Sequence, residues 1–351
     1  AIVAIPFYRA HYQADNLDPV NGVISALQVR GINPLPIFVA SLKEPVSAET
    51  VNAIFADAPP DLILNATGFA VSKPVGERAD SPLERPGVPV VQMIFAGGDE
   101  DDWRDNLYGL GARDIAMNVA LPEVDGRIIS RAVSFKAEAR FDEATQSPVI
   151  AYKGVPDRIE FVCNLAANWL RLAKTPAGER RVAVIFANYP NKDGRLGNGV
   201  GLDSPASALN LLQALELSGY QVGDLPDNGD DLIHKLAAGP TNDLTNRAER
   251  NGGIRYSIAD YQAFFAGLPE GLQERVTERW GQPGDDPFVV GEDFVLSAFR
   301  QGNVIIGLQP ARGYNIDPKS SYHDPDLVPP HGYLAFYAWL RRDYGAQAVI
   351  H

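Results

Sequence analysis

Cysteine is almost missing: Cys163 is the single one in 351 residues. One thiol closes no intramolecular disulfide and builds no cysteine metal cluster, so a disulfide-stapled scaffold is excluded and a reducing, cytoplasmic setting is expected. Long apolar runs are missing as well, and no segment approaches the roughly 20 residues that span a bilayer. Cationic residues are in deficit, 31 Lys and Arg against 44 Asp and Glu, for a formal net charge of -13. With no basic stripe or polybasic patch, nucleic-acid and membrane-surface binding lack an electrostatic footprint. The dipeptide Gly-Lys never occurs, so the chain holds no G-x-x-x-x-G-K-[ST] loop. The opening AIVAIPFYRAHYQ has no basic n-region and no cleavage site, and reads as a buried strand, not a signal peptide. The chain starts in that strand and stops at His351 in another, as expected of a segment of a longer protein.

What is present is an ordinary globular balance, 45% hydrophobic and 21% charged. Short apolar runs alternate with amphipathic stretches, the signature of α/β architecture with parallel strands. Strands are expected at 2–7, 35–39, 62–65, 88–96, 181–186, 304–308 and 348–351. Helices are expected at 20–30, 47–56, 157–172, 204–218, 258–280 and 331–344. The expected fold is a multi-lobed α/β protein of Rossmann/flavodoxin-like parallel-sheet units. Domains are expected at 1–145, at 146–290 with a polar insertion near 224–256 that contains a mobile loop, AAGPTNDLTNRAERNGG, and at 291–351.

A strand–loop–helix–strand unit is expected three times, starting at IVAIPFY, VAVIFANY and VIIGLQP. The loops from strand to helix, Tyr8–Pro19, Asn188–Asp203 and Pro310–Pro330, exceed the usual span of about 2–6 residues. In open α/β sheets such loops leave the carboxyl ends of the strands, where ligands bind. The three loops therefore predict one large cleft.

Five histidines occur. His234 reads as a surface residue of a helix, and His11 sits in the first long loop. His323, His331 and His351 fall at a loop, a helix start after Pro329-Pro330, and a strand end, all on one edge of a βαβ unit, where their imidazoles are expected to converge. Imidazole suits divalent cobalt, nickel, zinc and iron, with Asp324 and Asp326 available to complete a site. It also accepts protons near neutral pH. Arg312, Lys319, Arg195 and Lys192 lie in the long loops and suit ligand carboxylates. The run Gly197–Gly201 resembles a dinucleotide turn only loosely, because it stands far past its strand. The acidic run Asp99–Asp102 reads as a solvated helix N-terminus. The aromatic run Tyr333, Phe336, Tyr337 and Trp339 has helical spacing and reads as core packing.

The stretch Asn303–His351 carries Gln309-Pro310, Arg312-Gly313, Tyr322-His323-Asp324, Pro329-Pro330-His331 and Tyr333-Leu334-Ala335-Phe336-Tyr337. It resembles the core of the CobN / magnesium-chelatase H family, in particular its aerobic cobaltochelatase branch. FYRAH, LPEVDGR, FANYPNKDGRLGNGVGLDSPAS and PFVVGEDF resemble that family too, so the likeness runs along most of the chain.

The resemblance implies a large subunit that binds a metal-free tetrapyrrole and inserts the metal, a ligase forming nitrogen–metal bonds. It implies Co2+ as the substrate metal and hydrogenobyrinic acid a,c-diamide as the ring. ATP would be hydrolysed by partner AAA+ subunits, in agreement with the missing P-loop. Residues 291–351 would begin the tetrapyrrole and metal core. The family's HxGxHGxLEW-type motif begins at the position of His351, so this segment alone is expected to be inactive. His331 and His351 are the expected catalytic residues, with His323 as a further metal ligand. Arg312, Lys319, Arg195 and Tyr322 are expected to bind the ring. Competing readings are the large, H-type component of a magnesium chelatase, a non-catalytic tetrapyrrole or metal carrier, and a nucleotide-dependent oxidoreductase using Gly197–Gly201.

Overall fold

A computed structural model of the chain describes every residue except 74, 76–78, 189, 190, 192, 246 and 315–325. The chain divides into two units, Ala1–Lys174 and Thr175–His351. Among the described residues no helix is long and apolar enough to cross a membrane.

The first unit runs β1 (Ile2–Tyr8), α1 (Arg9–Gln13), α2 (Asp18–Val29), β2 (Asn33–Val39), α3 (Pro45–Asp57), β3 (Leu62–Asn65), β4 (Val90–Phe95) and α4 (Glu100–Asp105). α5 (Ala112–Asp114) passes through a π-turn, Ile115–Ala120, into α6 (Leu121–Val124). β5 (Ile128–Asp142), β6 (Ser147–Gly154) and α7 (Pro156–Lys174) follow. One six-stranded sheet has the order β2-β1-β3-β4-β5-β6, parallel except for the antiparallel β5–β6 pair. β1 and β3 read as unbroken apolar runs because both faces are covered. On one face Val3 and Ile5 pack with Leu27 of α2 and Val162 and Cys163 of α7. On the other Ala4 and Ile63 pack with Val51 and Phe55 of α3. Burying each such aliphatic or aromatic side chain contributes roughly 1.5–3 kcal/mol. α2 stops where Gly31 turns to φ +68°, a left-handed conformation that glycine adopts without a Cβ clash.

The first long loop is largely helical, since α1 leaves β1 directly. The acidic run behaves as expected: the Asp99 carboxylate accepts from the backbone N–H groups of Asp101 and Asp102 and caps α4. The β5–β6 hairpin was not expected. Its distal half is exposed on both sides, which leaves little period-2 alternation to read.

The second unit contains β7 (Val182–Phe186), the short hairpin β8 (Asn198–Gly199) and β9 (Leu202–Asp203), α8 (Ser204–Leu217), α9 (Gly229–Ala238) and β10 (Ile254–Ser257). Then come α10 (Ile258–Phe265), α11 (Glu270–Trp280), β11 (Val289–Val290), β12 (Asp293–Leu296), β13 (Ala298–Gln301), β14 (Val304–Leu308), α12 (His331–Arg342) and β15 (Ala348–Ile350). The main sheet has the order β13-β14-β7-β15 and a smaller one β10-β12-β11. β14, β7 and β15 are parallel. Leu212, Leu232 and Leu236 of α8 and α9 cover one face, against Val184, Phe186, Val304 and Ile306. Phe336 and Trp339 of α12 cover the other with Tyr261 and Phe294, against Ala183, Ile185 and Ile305.

This topology corrects several expectations. β14 lies beside β7, so the boundary expected after 290 falls inside a single sheet, and the one expected after 145 falls inside the β5–β6 hairpin. Residues 220–222 form no strand, so the second strand–helix unit is not closed by one. The helix expected over 258–280 is two, separated at Gly267-Leu268-Pro269, because proline fits a helix's entry and not its interior. The helix expected around His234 is α9, and the stretch 237–253, expected to be a mobile loop, is tied to the loop after β7. Thr241 donates to Asp193 at 2.6 Å, Asn242 donates to Asn188 at 2.9 Å, and Arg250 pairs with Asp193.

Candidate functional site

β7, β14 and β15 end together at one edge of the second unit's sheet, with Leu308 opposite Phe186 and Ile350 opposite Val184. The residues just past those ends are Asn188, Gln309 and His351. Gln309 N–H donates to the Phe186 carbonyl at 2.8 Å. The buried Asn242 amide donates to Asn188 Oδ1 at 2.9 Å and to the Gln309 carbonyl at 2.8 Å, which fixes the two strand ends side by side. Asn191 Nδ2 reaches the Gly313 carbonyl at 3.5 Å and so joins the loop after β7 to the loop after β14. Arg195 stands exposed on the first of these loops and Arg312 on the second.

Beside this edge lies an open groove of ≈ 540 Å³ lined by Gln309, Tyr333, Leu334, Tyr337 and His351. Pro330 stands just before α12, and the i, i+4 spacing of Tyr333 and Tyr337 places their rings along one face, 5.1 Å between centroids. The exposed His351 ring stands 6.3 Å from that of Tyr337. Burial, and then the neighbouring Tyr333 hydroxyl, push the Tyr337 phenol above its ordinary range. The groove thus offers two tyrosine rings tilted 47° to each other, one imidazole and one carboxamide.

His331 takes no part in it. Its side chain is fully buried on the opposite side of α12, packed edge-on against Tyr261 and Phe265. Its Nε2 lies 3.0 Å from the Gly281 carbonyl and its Nδ1 2.8 Å from the Tyr261 hydroxyl. A carbonyl only accepts, so Nε2 donates and Nδ1 takes the tyrosine proton. Neither nitrogen keeps a lone pair for a metal or a substrate proton. The expected convergence of His331 with His351 is therefore corrected, and so is the metal and catalytic role expected of His331: it is a core residue. His323, Lys319 and Tyr322, like Asp324 and Lys192, lie outside the described residues. Asp326 is exposed, and its backbone carbonyl accepts from Arg275 at 3.2 Å. Gly197–Gly201 forms the turn into and through the β8–β9 hairpin, with positive φ at Gly197 and Gly201, and not the turn at the end of β7 that a dinucleotide site needs.

Next to His331 the structure holds a buried polar cluster that the sequence does not announce. The Asp286 carboxylate accepts from the N–H groups of Gly332 and Phe288, both at 2.8 Å, and from the Tyr314 hydroxyl. Burial raises the Asp286 carboxyl above its usual range, opposed by these bonds. The Arg247 guanidinium lies 4.0 Å over the Phe288 ring and donates to the Val295 carbonyl; burial lowers it to about 10. The cluster pins the start of α12 and the chain leaving β14. Among the described residues no group of three or more His, Cys, Asp or Glu could hold a metal ion.

The comparisons with known proteins agree with this architecture. A family model described as CobN/Magnesium Chelatase matches residues 1–351. The chain is 51% identical over 349 residues to the aerobic cobaltochelatase subunit CobN of a Sinorhizobium species, covering 99% of this chain and 27% of that protein. It is 47% identical to the aerobic cobaltochelatase subunit CobN of Pseudomonas aeruginosa, covering 100% of this chain and 28% of that protein. Identity falls to 27% with the H-type component of magnesium chelatase from Rhodobacter capsulatus, of which the match covers 30%. Among solved structures, the catalytic subunit of cobaltochelatase from Mycobacterium tuberculosis superposes with a TM-score of 0.82 at 35% identity, over 100% of this chain and 30% of that one. The chain thus spans under a third of the length of each of these relatives. Matched from end to end by the family model and by relatives this similar, the chain belongs to the CobN/magnesium chelatase family.

Proposed function

We propose that this chain is a segment of the large subunit of an ATP-dependent cobaltochelatase, which inserts Co2+ into hydrogenobyrinic acid a,c-diamide in cobalamin biosynthesis. One observation carries the reading: identity is 51% and 47% with two cobaltochelatase CobN subunits and 27% with the H-type component of a magnesium chelatase, each over essentially the whole chain. ATP is hydrolysed by AAA+ partner subunits, which accords with the missing Gly-Lys dipeptide.

Metal insertion must strip water from the cation and remove the inner N–H proton that the corrin ring gives up. The imidazole of His351 suits both tasks, as a nitrogen donor to divalent cobalt and as a proton acceptor. The Tyr333 and Tyr337 rings, tilted 47° to each other, give the edge of a macrocycle an aromatic surface to pack against. Arg195 and Arg312 meet the ring's carboxylates, each able to do so through two parallel N–H donors. Lys319, Tyr322 and His323, in the connection between β14 and α12, complete the set. The segment by itself is inactive, because it spans under a third of the length of the cobaltochelatase subunits it matches and its sequence holds no Gly-Lys ATPase loop.

The test is reconstitution of the full-length subunit with its ATPase partners, followed by absorption spectroscopy of the ring. Cobalt insertion into the corrinoid that requires ATP and both components is the expected outcome. Insertion of magnesium into protoporphyrin with no cobalt activity would replace this reading by the magnesium branch. A subunit that binds the ring yet inserts no metal would make it a carrier.

A further inference from the structure

The first unit holds a cleft of its own, of ≈ 420 Å³, over the carboxyl ends of β1, β3 and β4. That is where ligands enter open parallel sheets, and the size suits a small molecule. One wall is aromatic: the His11 ring stands edge-on to Phe95 and Tyr152, at 5.5 Å and 5.2 Å between centroids. Two cations line the opening. Lys136 lies 5.6 Å from the Tyr152 ring centre and Arg113 is exposed. The one carboxylate in the lining, Asp114, already accepts from the Gly97 N–H at 2.9 Å and from the Asn118 amide at 3.1 Å. Two cations against one carboxylate leave the lining net positive beside an apolar wall.

Phe69 lines the same cleft, and its backbone is under strain. It sits at φ +61° although it is not glycine, a conformation that costs an L-residue energy and that persists only where the surroundings hold it. The holding contacts are visible. Phe69 N–H donates to the Met117 carbonyl at 2.7 Å, and the Tyr8 hydroxyl donates to the Gly68 carbonyl at 3.0 Å. Gly68 packs so closely that a Cβ there would stand 2.7 Å from Asn118 Oδ1. Met117 and Asn118 belong to the π-turn, a second departure from regular geometry on the same cleft. The result is a large ring left 44% exposed at the mouth. A core need not explain it, because the ring is not in the core.

We propose that this cleft is a binding site for a small aromatic carboxylate, with the ring held between Phe69 and the His11–Phe95–Tyr152 wall and the carboxylate at Lys136 and Arg113. The inference goes beyond the proposed metal insertion and does not rest on it.

The experiment is a titration of the full chain, carrying 13C-labelled histidine, with 2-naphthoate, and with neutral 2-naphthamide as the control. The His11 ring signal is identified among the five histidines by its loss in His11→Gln. Naphthoate is expected to shift that signal saturably, and naphthamide to bind about tenfold more weakly, as loss of a charge-assisted contact predicts. Lys136→Gln, at an exposed position, should weaken naphthoate by about the same factor. Phe69→Gly separates ligand from fold: affinity should drop while the melting temperature holds or rises, because glycine relieves the strained backbone. An unmoved His11 signal, equal binding of acid and amide, or a Phe69→Gly variant of undiminished affinity would each overturn the proposal.

Discussion

The Nδ1 of His331 and the hydroxyl of Tyr261 stand 2.8 Å apart in the core of the second unit. With the Gly281 carbonyl on Nε2, this bond makes His331 part of the scaffold at the head of α12. His331→Ala leaves a phenol and a carbonyl unpaired and opens a cavity. The expected loss is about 3 kcal/mol or more, read as a lower urea midpoint. A variant of unchanged stability would show that these two bonds are not made.

The groove on the other side of α12 gives the activity prediction. In the reconstituted full-length subunit, His351→Ala should abolish cobalt insertion while ring binding persists. Arg195→Ala and Arg312→Ala should each raise KM for the polycarboxylate ring about tenfold, roughly 1.4 kcal/mol, with kcat kept. Steady-state kinetics would reject the carboxylate contacts if neither variant, nor the double one, moved KM.

Arg127 and Asp125 form an ion pair buried in the first unit, 2.9 Å apart. The Asp125 carboxylate also holds the N–H groups of Val71 and Ser72. Arg127→Ala removes the guanidinium of a buried ion pair, and the expected cost is about 3–5 kcal/mol by chemical denaturation. A cost below about 1 kcal/mol, the worth of an exposed pair, would mean that water reaches the site.

His11 makes stability depend on pH. Burial lowers its pKa below the ordinary 6.5. Between the lowered value and 6.5 the unfolded chain binds the proton more readily than the folded one, so acidification through that window favours unfolding. The stabilisation is full above 6.5 and is lost as pH falls to the folded-state value. Urea midpoints followed from about pH 7 to about pH 5 should fall more steeply for the parent chain than for His11→Gln. Parallel curves would contradict the burial of the ring.

Much of the architecture was legible because the strands are covered on both faces. Leu62–Asn65 and Val304–Leu308 read as apolar runs too short for helices, and both are strands with those bounds. The β5–β6 hairpin was not legible, since its outer half is solvated on both sides. The helix head at His331 was legible from Pro329-Pro330, but not the direction of its imidazole. Phe336 and Trp339 are core as expected, Tyr337 packs against that core and also lines the groove, and Tyr333 lines the groove.

Composition and order of residues thus determined the α/β class, the absence of a P-loop and the family likeness, since all of these depend on local pattern. Tertiary structure alone decided that β14 lies beside β7, that Asn242 ties their ends, and that α12 turns His331 inward and Tyr337 toward His351. The physical reason is that each of these is a contact between residues remote in sequence. Which side of a helix meets the core is set by the neighbours that pack against it, and no local spacing encodes them.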